Sequence, residues 1–100
     1  MNDLDVLEVI KSDIVTIKKL IEERNTDLIF KKYSELKDKL KRIKKEAKLS
    51  SKSYASSAID DILNKSFSAK KNSKNISKVK LCIADADGYI SYYIDIINNE

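Results

Sequence analysis

The fold turns on residues 76–97, Ile76-Ser77-Lys78-Val79-Lys80-Leu81-Cys82-Ile83-Ala84-Asp85-Ala86-Asp87-Gly88-Tyr89-Ile90-Ser91-Tyr92-Tyr93-Ile94-Asp95-Ile96-Ile97. Ile76, Val79, Ile83, Ala86, Ile90, Tyr93 and Ile97 follow one another at alternating steps of three and four. With Ile76 lettered a, they are the a and d positions of a helix packed along its length, unbroken for about three heptads. Cys82, Tyr89 and Ile96 occupy the adjoining g positions and widen the apolar face. A face that broad is buried against two neighbouring helices rather than one.

The same stretch carries a competing pattern. Val79, Leu81 and Ile83 alternate, as do Ile90, Tyr92, Ile94 and Ile96, with Asp87-Gly88 between the two runs. That is the signature of a hairpin turning on Asp-Gly, and glycine inside a helix costs about 1 kcal/mol relative to alanine. The heptad decides for the helix, because it crosses Asp87-Gly88 without slipping. A lone two-stranded hairpin is marginally stable, and no other segment reads as a strand.

Upstream, Leu7, Ile10, Ile14, Ile17 and Ile21 form a second seam of threes and fours, widened by Val6 and Leu20. Asn2 or Asp3 caps this helix, with Asp3 and Asp5 set against the positive end of its dipole. The chain turns at Asn25-Thr26-Asp27, and a third seam follows through Ile29, Tyr33, Leu36, Leu40, Ile43 and Ala47. Beyond Ala47 the apolar residues change phase, to Ala55, Ala58, Ile59, Ile62, Leu63 and Phe67. Ser50, Ser51 and Ser53 offer side chains that compete for backbone hydrogen bonds, which suits a turn and a cap. Ser57 with Asp60 has capping-box spacing, and a single kinked helix over 26–67 is the alternative. Ser66 to Asn75 is the most loop-like piece, and Asn75 or Ser77 is placed to cap the last helix. The reading is an all-α, antiparallel four-helix bundle in a single domain over 1–100, with helices near 3–24, 26–48, 52–68 and 76–98. Three helices followed by a C-terminal β-hairpin around Asp87-Gly88 is its rival.

Composition narrows the function classes. The chain has 100 residues, no proline, one glycine, one cysteine and no histidine, which excludes an internal disulfide and any Ser–His or Cys–His nucleophile. The usual zinc ligand sets go with them. Cys82 lies on the apolar face and reads as a small buried side chain. Asp85-Ala86-Asp87-Gly88 fails as a calcium loop, since with Gly88 at position six the first and twelfth positions fall on Ile83 and Ile94. Asp60 and Asp61 are adjacent, about 100° apart on a helix, and do not converge on one substrate; capping and dipole stabilisation account for them. No catalytic residue, metal or cofactor is expected, and the chain is not read as an enzyme. The acidic N-terminus reads as no signal peptide, and no apolar run approaches the ~18 residues that span a bilayer. The expected setting is a reducing, cytoplasmic one.

Two surfaces remain as candidates. Residues 31–75 carry fourteen basic and five acidic groups, against net negative segments on either side. Within them Lys37, Lys41, Lys44, Lys48 and Lys52 follow helical spacing, with Lys45 alongside. Such a stripe neutralises phosphates in a salt-dependent way or docks on an acidic protein, while the plainest reading is a solvated face. No aromatic residues interleave with these lysines and arginine is scarce, so only nonspecific nucleic-acid binding is in play. The second surface is on the last helix. Leu81 and Tyr92 map to f and c, opposite the core, Ile94 to e, and Tyr89 and Ile96 to the edge. Aromatic residues left outside an intramolecular core are common interface anchors. The functional expectation is therefore a small non-catalytic protein of inhibitor, adaptor, immunity or chaperone type. It would bind another protein, or itself, through Leu81, Tyr89, Tyr92 and Ile96. Nonspecific nucleic-acid binding by the lysine stripe is the alternative.

Overall fold

The computed structural model describes residues 2–50, 52–64 and 76–100. Four helices follow in order: α1 (Asp3–Glu22), α2 (Thr26–Glu46), α3 (Tyr54–Asn64) and α4 (Ile76–Asn98). No strand occurs among the described residues. α4 runs unbroken through Asp87-Gly88, so the C-terminal hairpin is not formed, and residues 26–64 make two helices rather than one. The expected loop over 66–75, with Phe67 and the Asn75 cap, lies outside the described residues.

Local chemistry explains the boundaries. The Asn2 side chain accepts from the Asp5 N–H at 2.8 Å and starts α1; the Asn25 side chain accepts from the Leu28 N–H at 3.5 Å and starts α2. α1 stops where Arg24 takes a left-handed φ of 57°, with Arg24 N–H donating to the Ile21 carbonyl and Asn25 N–H to the Leu20 carbonyl. That double bond pattern is a Schellman C-cap. α2 stops beside Lys48, whose φ is 49°. Both helices end two residues short of the expected 24 and 48, because arginine and lysine give no sequence warning of a left-handed turn. A β-carbon in that region costs about 1–2 kcal/mol, while glycine adds about 0.4–1 kcal/mol of unfolded-state entropy. Arg24→Gly and Lys48→Gly are therefore each expected to raise stability by about 0.5–1 kcal/mol, read from the denaturant midpoint.

At the start of α3, Ser53 rather than Ser57 supplies the cap: its hydroxyl accepts from the Ser56 N–H at 3.0 Å. Ser57 lies inside the helix and is exposed. The neighbouring Ala55 N–H is satisfied from across the bundle, donating to the Asp3 carboxylate at 2.8 Å.

The helices run up, down, up, down. Lys39 of α2 donates to Asp13 of α1, Lys44 of α2 reaches Asp60 of α3, and Lys11 of α1 reaches Asp87 and Ser91 of α4. α1 packs against all three other helices. The four seams meet in one core: Val6, Leu7, Ile10, Ile14 and Ile17 from α1, Ile29, Tyr33, Leu36 and Leu40 from α2, Ala55, Ala58, Ile59 and Ile62 from α3, and Val79, Ile83, Ala86 and Ile90 from α4. Ile76, Tyr93 and Ile97 flank it as half-buried seam positions. At 11 residues against 23, α3 spans about half the length of α4. α2 and α4 touch where the Tyr33 hydroxyl lies beside the Cys82 thiol; burial, and then this neighbour, pushes the phenol pKa up.

Candidate functional site: the outer face of α4

α4 is clasped on two sides. On the e side, Asp87 accepts from both Lys11 and Lys18 of α1, and these ammonium groups hold its carboxyl below the usual carboxylate range. On the g side, Tyr89 leans on α3. Burial raises its phenol pKa first, and the charge of Asp61, which accepts its hydrogen bond, raises it further. Tyr93 stacks on Tyr54 with ring centroids 5.0 Å apart. The face left over comprises the c and f positions, Lys78, Leu81, Asp85, Gly88, Tyr92 and Asp95, and every one of them is exposed.

Leu81 and Tyr92 are the large apolar members, 66% and 63% exposed. Eleven residues separate them, so they share one helix face about 16 Å apart along the axis. Gly88 lies between them with nothing within 4 Å of where a β-carbon would sit. Among the described residues it answers no packing demand.

The structure divides the four expected partner residues. Leu81 and Tyr92 stand on the outer face. Tyr89 is half-buried and engaged with Asp61, so it belongs to the α3–α4 contact rather than to a free surface. Ile96 is half-buried at the edge. Ile94, lettered e, packs against the core on the α1 side instead of pointing away from it. Lys78, Asp85 and Asp95 complete the outer face. Being charged, they are placed there by their heptad letters alone.

The helical part of the lysine stripe is Lys37, Lys41, Lys44 and Lys45 of α2. Lys37 is half-buried with its ammonium 5.9 Å from the centroid of the Tyr33 ring, and burial, then Lys41, lowers its pKa. Lys44 is paired with Asp60. Lys48 and Lys52 lie beyond the end of α2, so helical spacing no longer aligns them with the rest. Lys41, Lys44 and Lys45 are exposed on the helix.

No family model, curated protein or solved structure matches this chain.

Its surfaces offer little chemistry. Asp85 and Asp87 diverge, the one exposed and the other turned to α1. Asp60 and Asp61 diverge likewise, toward Lys44 and Tyr89, and so serve as bridges to other helices rather than as caps. Among the described residues no group of three or more Cys, Asp or Glu side chains could hold a metal ion. A groove between α1 and α4, lined by Lys18, Ile21, Glu22, Lys80, Ile83 and Ala84, encloses about 250 Å³ and brings together no nucleophile and base. Among the described residues no helix is long and apolar enough to cross a membrane.

Proposed function

We propose that this chain is a small non-catalytic module that acts by binding another protein through the outer face of α4. The observation that carries the reading is the exposure of Leu81 and Tyr92 on one face of a helix whose core seam is already filled. Burying a Tyr and a Leu removes apolar surface worth about 1.5–3 kcal/mol per side chain, which an isolated monomer forgoes. An inhibitor, adaptor, immunity or chaperone role fits this surface, in a reducing, cytoplasmic setting suited to the lone cysteine. The rival reading, nonspecific binding of a nucleic-acid backbone, loses support because Lys37 is half-buried over Tyr33, Lys44 shares its charge with Asp60 in a surface bridge, and Lys48 and Lys52 leave the helix.

The test compares the wild-type chain with a Leu81→Ala/Tyr92→Ala variant in affinity capture from the native host. Both side chains are exposed, so the double variant should melt within about 1 kcal/mol of wild type. It is expected to lose the partner that wild type retains. A variant that stays folded and captures every protein that wild type captures would sink the reading.

A further inference from the structure

We propose that the partner fitted to this face is a second copy of the chain, with two α4 helices pairing antiparallel about a two-fold axis that passes between Asp85 and Gly88. The proposal rests on the reading of α4 as a binding face and adds the occupant and its register.

The outer face reads Lys78, Leu81, Asp85, Gly88, Tyr92, Asp95, at steps of three, four, three, four and three. This is a second a/d-like seam, turned away from the core, and all six residues are exposed. An isologous contact requires that a surface complement itself when reversed, and this one does. With the axis between Asp85 and Gly88, Leu81 of each copy meets Tyr92 of the other. Lys78 meets Asp95 of the other, joining opposite charges at both ends of the contact. Asp85 meets Gly88 of the other, so the middle layer sets a medium side chain against none. Each pairing places a c position opposite an f position, as antiparallel helical seams require. The antiparallel arrangement also sets the two helix dipoles against each other favourably.

Gly88 then acquires a reason. Its missing β-carbon, with none of the described residues within 4 Å of it, lets the two backbones approach at the centre. One feature opposes the pairing: the two Asp85 carboxylates lie on either side of the axis and repel. A contact of one helix per copy is small, below the ~1,200 Å² of typical specific complexes, the size class of weak and transient associations.

The test is sedimentation equilibrium of the full chain from micromolar to millimolar concentration, with thermal melts confirming that each variant folds. Wild type is expected to show a monomer–dimer equilibrium. Lys78→Glu and Asp95→Lys should each weaken it about five- to thirtyfold, because each change turns two attractive pairs per dimer repulsive. The Lys78→Glu/Asp95→Lys double variant should return within about twofold of wild type, since reversal restores both pairs. Gly88→Gln, a better helix former placed on the axis, should abolish the dimer without weakening the fold. Asp85→Asn should tighten it by removing the central repulsion.

A chain that stays monomeric throughout overturns the proposal. So does a dimer on which the double charge reversal has no restoring effect. Neither result touches the broader reading of the face, which stands or falls on whether Leu81→Ala/Tyr92→Ala loses its captured partner.

Discussion

Ile90→Ala is expected to lower the unfolding free energy by about 2–5 kcal/mol, the largest single effect foreseen in this chain. Ile90 is fully buried at the a position of α4, in the core it shares with α1, α2 and α3. Truncation removes apolar surface and leaves a cavity between helices whose backbones are fixed by their own hydrogen bonds. In a bundle of this size each kcal/mol shifts the melting temperature by about 4–8 °C, so the loss is easily read in a thermal or urea melt. Tyr92→Ala, two residues on and also a large side chain, is the contrasting variant. It is 63% exposed and should change stability by no more than about 0.5 kcal/mol. A hairpin at Asp87-Gly88 would place Ile90 and Tyr92 on the same face, because strand side chains repeat every two residues. A helix places them about 200° apart. Comparable losses at the two positions would therefore contradict the helix and the outer face together.

The parts legible in the sequence are those governed by long-range periodicity. Three of the four seams read as threes and fours, the α3 stretch shows only as a change of phase, and the heptad through Gly88 outweighs a local Asp-Gly turn signal because the turn has no further strand to pair with. Seam positions from Leu7 to Ile17, Ile29 to Leu40 and Val79 to Ile90 are the buried ones. What stayed hidden depends on single residues meeting across the bundle. Tyr89 sits at the g edge, where letter alone does not decide between solvent and a neighbour; Asp61 of α3 decides it. Asp60 suits a cap by spacing, yet Lys44 claims it from α2. Lys48 continues the lysine spacing in the sequence but is itself the left-handed residue beyond α2, which no glycine advertises. The apolar outliers Leu81 and Tyr92 were legible because a heptad assigns every residue a direction, occupied or not.

Asp3→Ala is expected to cost about 1–3 kcal/mol, far more than its place in a first helical turn suggests. The Asp3 carboxylate accepts from the Ala55 N–H at 2.8 Å, and Ala55 is fully buried in the first turn of α3. Helix N-termini present N–H groups with no intrahelical partner, and one of these is satisfied here by α1 rather than by a local cap. Truncating Asp3 leaves that N–H buried and unbonded, and removes a negative charge from the positive end of the α3 dipole. The consequence is local as well as global. Eleven residues are too few for a helix to hold in water alone, so α3 depends on what the rest of the bundle supplies. Asp3→Asn keeps an acceptor and loses only the charge, and should fall between wild type and Asp3→Ala. Amide exchange gives the sharper reading. Asp3→Ala should speed exchange across α3 more than across α1, although the substitution itself lies in α1. Faster exchange confined to α1, with α3 unaffected, would mean that the cross-bundle cap contributes nothing.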